Sequence, residues 1–141
     1  MTFDALGDLN WLAVIVSGVI YAALGALWYG PLFGKAWMAA VGMEPPAAGM
    51  QPSSAIYAVP LVAYLVAAVA MGLLARATAS DTITEGIVLG LVVGIGISTM
   101  IWLATAPFQP GRPQPWTLFA LNSAYHLIGL LITAVIVSAW V

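Results

Sequence analysis

The sequence predicts an all-α membrane protein with four transmembrane helices and a short interfacial helix between the first two. Of its 141 residues, 63% are hydrophobic and 6% are charged, whereas a soluble domain carries about 25% charged residues. The chain also contains four apolar runs of roughly the 20 residues that a spanning helix needs. Proline-containing connections separate the first run from the second and the third from the fourth. We therefore expect one transmembrane domain over residues 1–141.

The four apolar runs cover approximately residues 11–29, 54–75, 83–106 and 117–140. None contains Asp, Lys or Arg, and their only acidic and imidazole side chains are Glu85 and His126. Because lipid offers no water to the backbone, each run must be a helix or a strand of a closed barrel. The runs are too long for barrel strands of about 10 residues. Four spanning helices follow.

The first connection, residues 30–53, begins with the segment GPLFGKAWM. Phe33 and Trp37 fall on one helical face and Lys35 on the other, a pattern typical of a helix that lies on the membrane surface. Proline breaks follow at residues 45–46 and 52. Aromatic rings gather at the lipid–water interface. The predicted interfacial anchor comprises Trp28, Tyr29, Phe33, Lys35 and Trp37.

The other two connections differ in character. Residues 76–82 form a tight link, which predicts that the second and third spans are antiparallel neighbours. The third connection, PFQPGRPQPW, has four prolines and a glycine, which predicts a stiff extended segment without helix.

Orientation depends on three basic side chains. Lys35 and Arg112 lie on the side of the first and third connections, and Arg76 lies on the side of the termini. The positive-inside rule then predicts that both termini are outside.

The third run carries small residues at four-residue spacing. In lipid, close approach across small residues is a main source of helix association. The row could be a surface for self-association or for a partner subunit, or it could pack another helix of the same chain. We favour packing within the chain, because four spans need a packing core. The row consists of Gly86, Gly90, Gly94 and Ser98.

Polar residues on different spans match in depth. Positions about nine residues from the first and third connections lie at a common level, roughly 13 Å deep. Polar groups at such depth are a functional-site hypothesis, and histidine could carry a proton, orient a ligand or coordinate a cofactor. Alternatively they hydrogen-bond between helices, at about 0.6 kcal/mol per contact, and this packing interpretation is favoured. The candidate layer comprises Tyr21, Tyr64, Ser98, Thr99, Asn122, Tyr125 and His126.

Enzyme signatures are absent from the sequence. The chain has no cysteine and one histidine, and it contains no HExxH, GxSxG, GxGxxG or Walker motif. We therefore assign no catalytic residue, no metal and no cofactor. A net charge of −2 with three Lys plus Arg excludes a nucleic-acid partner. The expected partners are the lipid bilayer and other membrane subunits, including further copies of the chain.

Two segments carry a family resemblance. NWLAVIVSGVIYAALGALWYGPLFGKAWM and LNSAYHLIGLLITAVIVSAW resemble the family catalogued as domain of unknown function 1761, small bacterial four-helix membrane proteins. The Trp-Tyr-Gly-Pro exit followed by Phe-Gly-Lys is the more specific match. The resemblance implies a four-helix membrane fold and a bacterial source, and it implies no activity. We therefore expect the protein in the bacterial cytoplasmic (inner) membrane.

Three classes of function remain open from the sequence. The leading one is a non-enzymatic assembly unit that self-associates or joins a membrane complex through the small-residue row. The second is a transporter or channel for a small solute, with the layer around His126 as its constriction. The third is a protein that binds a lipid, quinone or pigment in a groove lined by Trp28, Trp37 and Trp102.

Overall fold

A computed structural model of the protein describes residues 3–44 and 54–140. Helices account for most of them, and no β-strand occurs within these two ranges. The predicted all-α fold is confirmed. The helices are α1 (Trp11–Leu27), α2 (Gly34–Val41), α3 (Ala58–Ala77), α4 (Ile83–Leu91), α5 (Met100–Thr105) and α6 (Pro115–Ala139).

Four helical spans are long and apolar enough to cross a membrane, as the sequence predicts. They have mean hydropathies between 1.8 and 2.3 and lengths of 22 to 26 residues. The first span joins α1 to a π-helical turn, and the third joins α4 and α5 through a π-helical segment. The spans cover Trp11–Leu32, Ala55–Ala77, Ile83–Phe108 and Pro115–Ala139.

The fourth span is the centre of the fold. Helices α1, α3 and α6 all contact one another, whereas α4 packs mainly against α6. The prediction that the second and third spans are packed neighbours is therefore wrong, since α4 has no extensive contact with α3. The short link at residues 78–82 brings the two helix ends together, but it does not determine the direction in which α4 packs.

The small-residue row of the third span faces α6. A Cβ added to Gly86 would lie 2.8 Å from Val135 Cα, and one added to Gly90 would lie 2.8 Å from Leu131 Cα. One added to Gly94 would meet the Leu127 side chain at 2.6 Å. The fourth span of the same chain therefore packs directly on these three glycines. These contacts are of the kind that we favoured from the sequence, packing within the chain, and self-association of the chain stays a prediction.

A π-helical segment, Val92–Thr99, interrupts the third span. Within it the Thr99 hydroxyl donates to the Gly94 carbonyl at 2.8 Å. The hydropathy pattern predicts only a continuous helix here. Because a π turn holds more residues than an α turn, the segment changes the face on which the residues of α5 lie relative to α4.

The two long connections meet on one side of the protein. Helix α2 is present as predicted, and Ala40 and Val41 at its end are buried against Leu118 of α6. The Arg112 guanidinium donates to the Val41 carbonyl at 3.0 Å, and the Gln114 N–H donates to the Ala40 carbonyl at 3.4 Å. This helix is thus tied to the start of the fourth span.

The third connection is more helical than predicted. A 3-10 turn covers Ala106–Phe108, and α6 already begins at Pro115. Proline suits the first turn of a helix, where its missing N–H would have no partner in any case. The predicted proline breaks at residues 45–46 and 52 lie outside the described residues.

The chain ends meet on the opposite side. The Asn10 side chain caps α1 by accepting from the Ala13 N–H at 3.1 Å, and its amide donates to the Trp140 carbonyl at 2.9 Å. The Arg76 guanidinium donates to the Asp8 carbonyl. These bonds fix the first, second and fourth spans relative to one another at this end.

Candidate functional site

Four aromatic members of the predicted layer lie together where α1, α3 and α6 meet. The rings of Tyr21 and Tyr64 are stacked, with centroids 4.2 Å apart and planes at 16°. Tyr125 lies 5.4 Å from Tyr21 and 5.9 Å from Tyr64. His126 follows at 6.1 Å from Tyr21. Helices from three spans therefore bring these four rings into one cluster, and any role in ligand binding stays a prediction at this point.

Hydrogen bonds connect the two helices that carry most of the cluster. The Tyr21 hydroxyl and His126 Nδ1 are 2.7 Å apart. The Tyr125 hydroxyl donates to the Tyr21 carbonyl at 3.1 Å. Tyr21 is 2% exposed and Tyr125 is 1% exposed. Both hydroxyls are thus satisfied inside the protein, as buried polar groups require.

Two glycines that the sequence analysis missed make room for these rings. A Cβ added to Gly129 would lie 2.0 Å from Tyr21 Cε2, and one added to Gly25 would lie 2.7 Å from the Tyr125 hydroxyl oxygen. A signal for them exists in the sequence, because each glycine follows a layer tyrosine by four residues: Tyr21 precedes Gly25, and Tyr125 precedes Gly129. Such a pair shares one face of a helix.

The imidazole of His126 also contacts the third span. Trp102 stacks on it, with ring centroids 5.9 Å apart and planes at 16°. Both residues are half-buried. Nδ1 is engaged by Tyr21, and Nε2 has no hydrogen-bond partner among the described residues. His126 therefore lies between the first and third spans with one ring nitrogen unused.

The cluster continues toward the exit of the first span. The Tyr29 hydroxyl donates to Asn122 Oδ1 at 2.7 Å, and the Tyr29 ring lies 5.1 Å from Tyr125 and 5.7 Å from Trp37. Asn122, a predicted layer residue, is thus joined to the cluster through Tyr29 rather than through His126.

The remaining anchor residues divide into two groups. Trp28 packs against Phe33, with centroids 4.5 Å apart, and also lies 6.2 Å from Tyr125. Lys35 is exposed on the first turn of α2. Several of the predicted anchor residues therefore contact the interior cluster as well as one another.

Two predicted layer residues lie apart from the hydrogen bonds of the cluster. The Thr99 hydroxyl bonds to its own helix at Gly94. Ser98 is half-buried on the same π-helical segment. Within residues 3–44 and 54–140, no hydrogen bond joins either hydroxyl to Tyr21, Tyr64 or His126.

The chemistry available at this site is hydrogen bonding and ring stacking. Over the described ranges, no group of three His, Asp or Glu side chains lies close enough to hold a metal ion. One imidazole, three tyrosines and a stacked tryptophan can bind the polar atom and the flat or apolar body of a small molecule.

The four spans and their aromatic layer define a small polytopic helical protein of the membrane type. A family model described as "Protein of unknown function (DUF1761)" matches residues 12–138, and the chain belongs to this family. The membership predicted from the two quoted segments is confirmed. No curated protein and no solved structure matches the chain.

Proposed function

We propose that the protein binds an apolar small molecule, a quinone or a lipid, beside His126 and Trp102. The observation that carries this proposal is the half-buried His126, with Nδ1 engaged by Tyr21 and Nε2 unused. The proposal retains the third class of function from the sequence. It moves the site from Trp28 and Trp37 to the surface between the first and third spans.

The packing of the spans supports a groove at this place. The third span packs mainly on α6, and it has no extensive contact with α1. His126 on α6 contacts Tyr21 of the first span and Trp102 of the third. His126 therefore lies on the face of α6 between the first and third spans, both of which pack against α6.

The depth of His126 in its span makes a hydrogen bond from a ligand to its Nε2 favourable. The imidazole is 11 residues after Pro115, or about 17 Å along the helix axis at 1.5 Å per residue. A polar group at that depth is unfavourable without a partner, and histidines inside membrane spans therefore mark functional sites by default. A ligand that carries one polar atom on an apolar body would supply the missing partner of Nε2.

Conduction of a solute has less support. The rings of Tyr21 and Tyr64 are in stacking contact, and Tyr21 and Tyr125 fill the space over Gly129 and Gly25. A path between α1, α3 and α6 would have to pass through these rings. Their close packing favours binding at the edge of the layer over passage through it.

Assembly with other membrane subunits is the second candidate. In the third span, 17% of the most apolar stretch is buried, against 39% in the fourth. Its outward surface is thus available to a partner helix, although the three glycines that first indicated assembly already face α6. Neither candidate includes a reaction, so we propose a non-enzymatic role.

The proposed location is the bacterial cytoplasmic membrane with both termini outside. Lys35 is exposed on the side of α2. Arg112 is on the same side, where it donates to the Val41 carbonyl, whereas Arg76 donates to the Asp8 carbonyl on the terminal side. Two basic side chains against one support the placement of α2 at the cytoplasmic face.

The binding proposal is tested by purification in native nanodiscs and mass spectrometry of the organic extract. We expect a quinone or lipid retained near one molecule per chain by the wild type and lost from His126→Phe, which keeps a ring and removes the polar nitrogens. Ile128→Phe is the matched control, because Ile128 is exposed on the same helix.

Titration with a short-chain ubiquinone, read by tryptophan fluorescence, provides the second measurement. Saturable quenching in the wild type and in Ile128→Phe, weakened at least tenfold in His126→Phe, supports the proposal. A wild type that retains nothing and shows no saturable quenching would overturn it.

A further inference from the structure

We infer that Tyr21 holds His126 in the neutral tautomer with its proton on Nε2, so that the site selects ligands with a hydrogen-bond acceptor such as a carbonyl oxygen. The choice of ligand rests on the proposed function. The tautomer itself is a property of the ligand-free protein. The two parts can therefore be measured separately.

The acceptors available to the Tyr21 hydroxyl indicate which group is the donor in its hydrogen bond with His126. A neutral imidazole has one N–H donor and one acceptor nitrogen, and a phenol can play either role. Nδ1 lies 2.7 Å from the Tyr21 hydroxyl oxygen and is its nearest acceptor among the described residues. Because a buried hydroxyl needs an acceptor for its proton, we take the Tyr21 hydroxyl as the donor and Nδ1 as the acceptor.

The alternative acceptor for this hydroxyl is less favourable. It is the His126 carbonyl oxygen, which lies 3.4 Å away. That distance is outside the usual range for a hydroxyl donor. The carbonyl is also inside α6, where backbone hydrogen bonding uses it.

The surroundings of Tyr21 fix the direction of its hydroxyl. Its ring is 2% exposed, stacks on Tyr64 and lies against Gly129, so it has no room to turn. The Tyr125 hydroxyl donates to the backbone carbonyl of Tyr21 and leaves the Tyr21 hydroxyl free for His126. The protein therefore offers Nδ1 a donor at a fixed position.

With Nδ1 accepting, the proton of the neutral imidazole is on Nε2. Trp102 stacks on the face of the ring, with planes at 16°, and Nε2 has no hydrogen-bond partner among the described residues. The indole of Trp102 has a donor and no acceptor, so it cannot pair with Nε2–H. The partner that fits Nε2–H is an acceptor, which a quinone carbonyl and a lipid ester carbonyl both provide.

The single histidine of the chain allows a direct test. In protein labelled with ¹⁵N-histidine, in nanodiscs at a pH where the ring is neutral, both ring nitrogens belong to His126. We expect one tautomer with the proton on Nε2 in the wild type and a mixture of both tautomers in Tyr21→Phe. Tyr29→Phe is the control, because it removes a hydroxyl that bonds to Asn122 instead, and it should retain the wild-type spectrum.

A proton on Nδ1 in the wild type would overturn the inference, even where ubiquinone binds. An unchanged single tautomer in Tyr21→Phe would also overturn it, because Tyr21 would then not set the tautomer.

Ligand probes test selectivity and distinguish the two carbonyl sources. We expect a short-chain ubiquinone, or a diacylglycerol if the natural ligand is a lipid ester, to shift the Nε2 resonance. An alkylindole, which offers a donor only, should leave it unchanged. If neither carbonyl probe shifts Nε2, the proposed function and the selectivity fail together, and the tautomer measurement still judges the role of Tyr21. An equal shift with the alkylindole would overturn the selectivity alone.

Discussion

Tyr21 and Tyr125 face each other across α1 and α6, and each lies over the glycine that follows the other by four residues. The Tyr21 ring covers Gly129, and the Tyr125 hydroxyl reaches Gly25. The Tyr125 hydroxyl also bonds to the Tyr21 carbonyl at 3.1 Å. A shift of one helix along the other would place either ring on a residue with a side chain. This reciprocal packing of two tyrosines on two glycines therefore sets the position of α1 along α6, and with it the position of His126 beside Tyr21.

The first prediction concerns the space over Gly129. Gly129→Ala puts a methyl group where the Tyr21 ring lies, because a Cβ there would be 2.0 Å from Cε2. We expect a loss of about 1–3 kcal/mol of stability, the usual range for overpacking, and weaker coupling of Tyr21 to His126. Thermal unfolding in detergent and the histidine ¹⁵N spectrum measure the two effects.

Gly96→Ala is the matched control for this substitution. A Cβ added at Gly96 meets nothing within 4 Å, and alanine is the better helix former. Its unfolding temperature should equal or exceed that of the wild type. Equal losses of stability in the two variants would contradict the proposed reciprocal packing of Tyr21 and Tyr125 on the two glycines.

The spans and most of the aromatic layer could be predicted from the sequence, because both depend on distance along a helix. Hydropathy locates each span, and a rise of 1.5 Å per residue locates Tyr21, Tyr64 and His126 at a common depth. Depth does not say which way a side chain points around its helix. Ser98 and Thr99 have the right depth, yet they lie on the π-helical segment, where the Thr99 hydroxyl bonds back to the Gly94 carbonyl instead of to the cluster.

The packing partner of the third span could not be predicted for a related reason. A short link limits how far apart two helix ends lie, and it leaves the helices free to diverge. The contact that decides the matter is between Gly86, Gly90 and Gly94 and the backbone of α6. These residues are visible in the sequence, whereas the helix that they face is not.

The second prediction concerns this glycine contact. Gly90→Val places a branched side chain against Leu131, whose Cα would be 2.8 Å from the new Cβ. We expect α4 and α5 to separate from α6 and their backbone amides to exchange hydrogen faster, measured by hydrogen–deuterium exchange with mass spectrometry. Gly96→Val is the control and should leave exchange near the wild-type rate.

Native mass spectrometry of the same variants tests the self-association that the sequence first indicated. If the wild type is a dimer and Gly90→Val is a monomer with normal hydrogen exchange, these glycines serve contact between chains. An unchanged oligomeric state with faster exchange supports their contact with α6.

The third prediction concerns orientation. Because the chain has no cysteine, single-cysteine variants report one site each. Ala36 is an exposed residue of α2, and Ala77 is an exposed residue at the end of α3, on the terminal side. The two variants are Ala36→Cys and Ala77→Cys. In intact cells, a membrane-impermeant maleimide should label Ala77→Cys and spare Ala36→Cys, and lysis should make both reactive. The reverse pattern would put both termini in the cytoplasm and contradict the orientation proposed from Lys35 and Arg112.

The fourth prediction concerns Trp102, which the proposal places beside the bound molecule. Trp102→Leu removes the ring that stacks on His126. If Trp102 also stacks on the quinone ring, the loss of that aromatic contact, of roughly 0.5–1.5 kcal/mol, should weaken ubiquinone binding up to about tenfold. Because both rings are half-buried, the unfolding temperature should change little. Trp116→Leu is the matched control, since Trp116 is 58% exposed and packs on Phe119. Equal binding in the two variants would remove Trp102 from the site, and a large loss of stability in Trp102→Leu alone would assign it to packing instead.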